Sequence, residues 1–132
     1  MVYTSTGGSS GFALGFYRTP EAFSRELASK AHQYHRVGWR EGDRQMVLRG
    51  VPVSDPSHME MVPELCELRC SSYHLSESVM ESYRQRAFVY KPQWLRCYPS
   101  SGYRFARFLL EHKKAFPPLS GILVTSEDIK SV

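Results

Sequence analysis

The sequence predicts an α/β fold, a largely parallel sheet with helical crossovers, and three observations carry that prediction. Short apolar runs that read as strands alternate with amphipathic stretches of about a dozen residues. The amphipathic stretches open on helix-start chemistry, at Thr19-Pro20-Glu21, Ser76-Glu77 and Pro99-Ser100-Ser101. They close on residues that stop helices, at Gly38, Lys91-Pro92 and Pro117-Pro118.

Taken in order, Val2-Tyr3 reads as the end of a strand, and residues 12–17 as a second strand behind a Gly/Ser loop. Phe23, Leu27, Ala31 and Tyr34 recur at helical spacing, so a helix runs from Thr19 to about Val37. Gly42-Asp43 is a turn, and 45–51 reads as a buried strand. The stretch 52–63 carries three prolines and no period, and is expected to be a loop. Leu65, Cys66, Leu68 and Cys70 fit neither template well, and a short strand is expected over 68–73. Ser76 caps a helix that places Val79, Met80, Tyr83 and Ala87 on one face. A strand over 94–98 follows, then a third helix through Phe105, Ala106, Leu109 and Leu110, closed by Pro117-Pro118. The last strand is 121–125, and Ser126-Glu127-Asp128 looks like the start of another helix. No internal repeat is visible. The expected organisation is one α/β domain or fragment over 1–132, with strand–helix units at 19–51, 64–98 and 99–127. The chain stops seven residues after the last predicted strand, the expectation for a fragment.

Composition narrows the classes. With 42% hydrophobic, 23% charged and 13% aromatic residues, the chain has the makings of a packed core. The net charge of +4 suits a phosphate-bearing ligand, but the seventeen Lys and Arg are scattered, with no run longer than Lys113-Lys114. A nucleic-acid footprint clusters instead, so nucleic acid is not an expected partner. No stretch approaches the roughly 18 apolar residues of a membrane span, and no charged segment leads into a secretory apolar core. Three cysteines, Cys66, Cys70 and Cys97, are too few and odd for a disulfide scaffold. A cytoplasmic protein with reduced thiols is the expectation.

The opening loop, Thr6-Gly7-Gly8-Ser9-Ser10-Gly11, fails two familiar phosphate-loop patterns. It has no Gly-Lys-Ser/Thr lysine to reach terminal phosphates, and its glycines miss the dinucleotide spacing, with a strand rather than a helix after it. Two readings stay open on the hexapeptide alone. One is a linker or simple turn, which the commonness of Gly/Ser runs favours. The other is a nest of amides and hydroxyls able to wrap phosphates without a fixed cation.

Five segments, in order, bear on the choice. The loop with Leu14-Gly15-Phe16-Tyr17-Arg18 resembles the phosphate loop of adenylate-forming enzymes, specifically the phenylacetate–coenzyme A ligase branch, which includes capsular-polysaccharide-biosynthesis adenylating proteins. Residues 38–44, Gly-Trp-Arg-Glu-Gly-Asp-Arg, resemble that branch's Gly-x-x-x-Gly-Asp turn. Tyr73-His74-Leu75-Ser76, Tyr98-Pro99-Ser100 and Leu123-Val124-Thr125-Ser126-Glu127 resemble its next helix opening, its Tyr-Pro-Ser turn and its Thr-Ser-Glu strand end. Ser10 stands where threonine is usual and Ala13 where proline is usual, and the segment after Pro52 is irregular. The resemblance implies a fragment of the large N-terminal domain of an ATP-dependent ligase. Its chemistry would be Mg2+-assisted activation of a small carboxylic acid to an acyl-adenylate, with coenzyme A as thiol acceptor in many members.

On that resemblance Thr6, Gly7, Gly8, Ser9, Ser10 and Gly11 would grip the ATP phosphates. Tyr98, Ser100, Thr125, Ser126 and Glu127 would line the acyl or nucleotide crevice, the alternative being that Pro99 and Ser100 simply start a helix. The magnesium-holding acid, the ribose-binding aspartate and the mobile-domain lysine find no match, so the remainder of the ligase is an implied partner. A non-catalytic α/β remnant or interaction module is the competing reading. Cys66-x-x-x-Cys70-x-x-x-His74 has helical spacing, but with no fourth ligand buried thiols are preferred to zinc. His32 and His35 read as a solvated or partly packed pair, Cys97 as a core thiol, and Gly8-Ser9-Ser10-Gly11 is one residue short of a hydrolase elbow.

Overall fold

The computed structural model describes residues 1–5, 12, 14–51 and 53–125, and divides them between two compact units, Met1–Arg40 and Glu41–Val132. The phosphate-loop residues 6–11, and Ser126 and Glu127, lie outside the described residues.

In the first unit, β1 (Val2–Ser5) and β2 (Gly15–Arg18) form an antiparallel pair with Val2 opposite Arg18 and Ser5 opposite Gly15. The Gly/Ser loop is therefore flanked by paired strands, as expected, although the second begins at Gly15 rather than at Phe12. Tyr3 and Tyr17 meet edge to face at 5.3 Å on this ribbon. A Cβ on Gly15 would stand 1.9 Å from the Tyr3 hydroxyl, so the glycine leaves room for that ring to lie across the ribbon, and a larger residue would displace it. Helix α1 (Pro20–His35) starts where its cap chemistry puts it, with Thr19 Oγ1 accepting from the Ala22 amide at 3.2 Å. Arg18 joins ribbon and helix by pairing with Glu26 and lying over the Phe23 ring. Gly38, at φ +101°, turns the chain after the helix, and Trp39 folds back to stack on His35 and meet Tyr34 edge-on.

The second unit holds a five-stranded sheet in the order β4-β5-β3-β6-β7. Its strands are β3 (Gln45–Arg49), β4 (Met59–Val62), β5 (Glu67–Ser71), β6 (Trp94–Cys97) and β7 (Gly121–Val124). β3 runs parallel to β5 and β6, and β7 parallel to β6; only β4 is antiparallel. This is the mixed α/β, mostly parallel sheet expected. Helices α2 (Glu77–Tyr90) and α3 (Pro99–Glu111) cover one face. Met46, Leu48, Leu68, Cys70, Leu95 and Cys97 point into that layer against Met80, Tyr83, Ala87, Phe105 and Phe108. The parallel register puts alternate residues on the other face, where Glu67 takes Arg69 Nε at 3.0 Å and Arg96 at 2.6 Å, with Glu60 3.7 Å from Arg69. A carboxylate as buried as Glu67 is tolerated because two guanidiniums replace its water.

Several expectations need correction. The proline-rich stretch 52–63 contains strand β4, an edge strand ending directly before Pro63, where a missing amide costs no ladder bond. Residues 63–65 form a 3₁₀ turn before β5. Helix α3 ends at Glu111 and not at Pro117, because Lys113 takes the left-handed conformation at φ +51°. Its inward face is Ser101, Phe105 and Phe108, while Leu110 is 77% exposed. Cys66 and Cys70 are not on a helix: Cys66 caps the 3₁₀ turn and Cys70 sits on β5, where burial pushes its thiol pKa up. A strand separates them by about 3.3 Å per residue, so the set does not converge, and no metal-holding group of His, Cys, Asp or Glu occurs among the described residues.

Candidate functional site

In a parallel sheet every strand ends on the same edge, so β3, β5 and β6 deliver their last residues to one place. β5 lies on one side of β3, and β6 and β7 on the other, so the chain's progress across the sheet reverses there. Ligands of open α/β sheets bind at such points, outside the carboxyl ends. A crevice of about 370 Å3 opens at this position, bordered by Gly50, Ser72, Tyr73, Tyr98, Ser100 and Arg104, among others.

Each wall has a local cause. Tyr73, in the turn after β5, donates its hydroxyl to the Gly50 carbonyl at 3.1 Å. A Cβ on Gly50 would stand 2.9 Å from that oxygen, so the glycine after β3 lets the ring close in. Tyr98 follows β6 and is the N-cap of α3, with extended backbone and no side-chain capping bond. Arg49, the last residue of β3, lies over the Tyr98 ring at 4.8 Å and approaches its hydroxyl at 3.4 Å. Pro99 takes the first helical position, and Ser101 anchors the turn, its hydroxyl 2.9 Å from the Leu48 carbonyl and 3.1 Å from that of Tyr98. Gly102 brings α3 onto β6: a Cβ there would stand 2.6 Å from Cys97 Sγ.

The electrostatics favour an anion. The first turns of both α2 and α3 end at this edge, and helix N-termini carry partial positive charge. Arg104, four residues beyond Ser100 on α3, reaches the same crevice and forms no ion pair among the described residues. The Ser72, Ser100 and Tyr98 side chains supply hydroxyls, and Arg49 lies behind the Tyr98 wall against its ring. Beside the crevice a larger groove of about 630 Å3 runs between α2 and α3, with Arg104 shared by both. Glu77 and His112 face each other across it at 3.4 Å.

Of the predicted crevice residues, Tyr98 and Ser100 line this site. Thr125 stands at the end of β7, its amide donating to the Cys97 carbonyl at 3.3 Å and its buried hydroxyl without a hydrogen-bond partner among the described residues. Ser126 and Glu127 fall outside the described residues, as does the whole Thr6–Gly11 loop. Sequence reasoning missed Arg49, Ser72, Tyr73 and Arg104. For Arg104 the signal was present: it stands one helical turn beyond Ser100. The Asp43 of the Gly-Asp turn lies at the opposite, amino edge, where it accepts from Trp94 Nε1 at 3.0 Å and holds the start of β6. His32 and His35 are on α1, where His35 is engaged by Trp39.

No described helix is long and apolar enough to cross a membrane. No protein-family model, curated protein or solved structure matches the chain.

Proposed function

We propose that the chain is the nucleotide- and acid-binding portion of an ATP-dependent carboxylate-adenylating ligase. The observation that supports this reading is the hydroxyl-lined, cation-bearing crevice at the carboxyl ends of β3, β5 and β6, into which Tyr98 and Ser100 of the Tyr-Pro-Ser turn project. Adenylation forms a bond between the acid's oxygen and the α-phosphorus and breaks the bond to the β-phosphate, releasing pyrophosphate. Such transfer needs held oxygens and neutralised charge more than it needs a covalent catalyst. On this reading Arg104 and the first turn of α3 hold an anionic group of the substrate pair, with Arg49 steadying the Tyr98 ring. The Thr6–Gly11 amides and the Thr6, Ser9 and Ser10 hydroxyls grip the departing phosphates. The described residues bring together no carboxylate cluster suited to magnesium, so no step is assigned to that ion or to any residue holding it.

Calorimetric titration of the full chain with ATP tests the reading. Weak binding is expected, reduced at least fivefold by Ser9→Ala with Ser10→Ala. Identical nucleotide affinity in the double variant would remove the phosphate-loop assignment, and absence of any ATP or AMP binding would remove the ligase reading.

A further inference from the structure

The five-stranded sheet is finished differently at its two edges. β4 carries the guards that keep an edge from pairing: Glu60 stands exposed within it, ion-paired with Arg69, and Pro63 follows its last residue. β7, the other edge, carries neither; residues 120–125, Ser-Gly-Ile-Leu-Val-Thr, hold no charge and no proline. Ile122 is 58% exposed and Val124 42%. Both stand opposite core residues of β6, Leu95 and Cys97, and so lie on the helix-covered face. There they border an apolar groove of about 340 Å3 beside Tyr103, Ala106 and Leu109 of α3.

The backbone indicates what this edge accepts. The Thr125 amide donates to the Cys97 carbonyl, so alternation turns the odd-numbered groups of β7 towards β6. The N–H and C=O of Ile122 and Val124 therefore point out of the sheet, where no further strand stands among the described residues. A small apolar molecule in the groove would leave those groups as they are, whereas an added strand satisfies them. A second copy supplies one under a two-fold axis through Leu123. That axis sets Ile122 against the partner's Val124, Gly121 against the partner's Thr125, and Leu123 against itself. Both Ile122–Val124 pairs then have their outward groups facing, the arrangement that exchanges two hydrogen bonds per pair. An isologous interface requires that self-complementarity. The same axis places the exposed Ile122 and Val124 of both copies side by side and joins the two apolar grooves. The exposed parts of Ile122, Val124, Tyr103 and Ala106 with the strand edge come to roughly 1,000 Å2 at most in two copies, the lower limit for a specific interface. We infer that β7 is a homodimerisation edge on which β7 of a second copy adds antiparallel, continuing the sheet in a weak, concentration-dependent dimer.

Sedimentation equilibrium of the full chain between 10 and 500 µM, with circular dichroism as a control on folding, tests this. A dimer that grows with concentration is expected, with Val124→Lys monomeric throughout because it restores to β7 the kind of guard that β4 has. Since a lysine there can also disturb folding, amide hydrogen exchange of the unaltered chain provides the second arm. The Ile122 and Val124 amides are expected to exchange at least threefold more slowly at 500 than at 50 µM, while Leu123, already bonded towards β6, changes less. A wild-type chain that stays monomeric to 500 µM would overturn the inference. So would a folded Val124→Lys chain that still dimerises, since another face would then hold the copies together, or Ile122 and Val124 amides whose exchange ignores concentration.

Discussion

Arg104 and Tyr83 are contrasting single residues. Arg104 is exposed, forms no ion pair among the described residues and lines the crevice, so replacing it should affect binding and leave folding alone. Arg104→Gln is expected to lower the affinity for ATP or AMP about tenfold, the scale of one lost charge-assisted hydrogen bond, with an unchanged melting temperature; equal affinities would exclude Arg104 from the site. Tyr83 is fully buried on α2, with its hydroxyl 2.9 Å from the Ser71 carbonyl and 3.2 Å from that of His58, tying the end of β5 to the loop before β4. Burial raises its pKa, so it stays a donor at any ordinary pH. Tyr83→Phe leaves two carbonyls underserved and should cost about 2 kcal/mol in urea unfolding. Glu81 is a third case: the Arg84 fork, at 3.0 and 2.8 Å, holds its pKa down at about 2 against an ordinary 4.5. A lowered carboxylate pKa adds stability that is complete above the unfolded value and is lost as pH falls through the folded one. The gap in melting temperature between wild type and Glu81→Gln should therefore be constant above pH 4.5 and close towards pH 2; a gap indifferent to acid would remove the pair from the balance.

At the scale of elements, local chemistry was legible wherever it acts locally. Thr19, Ser76 and Pro99 mark the three helix starts because capping depends on residues within one turn. The end of α3 was not legible, since Lys113 adopts a left-handed conformation that composition assigns to glycine. Strand β4 was hidden by the prolines around it, whose meaning depends on β4 being an edge. The Tyr-Pro-Ser turn could be read as a strand end, but the partnership of Arg49, Tyr73 and Arg104 could not. It arises from the order β5-β3-β6, a long-range fact that no spacing in the chain encodes. The same order creates the ionic layer on the other sheet face, where Arg96 of β6 reaches Glu67 of β5 across β3, beside Arg69 on Glu67's own strand. Fully buried pairs cost roughly 3–5 kcal/mol to break. Here the arginines are 31% and 20% exposed, so Glu67→Gln should cost less, about 2 kcal/mol. Urea denaturation that gives Glu67→Gln the stability of wild type would show the layer to be ornamental.

For the whole molecule, the division into Met1–Arg40 and Glu41–Val132 separates two halves of the proposed chemistry. The second unit contains the sheet, both covering helices, the buried cluster and the crevice, so it meets the requirements of an independently folding domain. The first contains the Gly/Ser loop between β1 and β2, and an isolated helix of sixteen residues is marginal in water. Residues 41–132 expressed alone should therefore unfold in one cooperative transition, while residues 1–40 alone should show little helix by circular dichroism. Binding then distinguishes the roles. If the loop grips the β- and γ-phosphates, its contribution appears with ATP and vanishes with AMP, which has neither. The full chain should prefer ATP to AMP, and residues 41–132 should bind the two alike while keeping their sensitivity to Arg104→Gln. Retention of the full ATP preference by residues 41–132 would take the loop out of the site and leave the crevice to bind nucleotide without it.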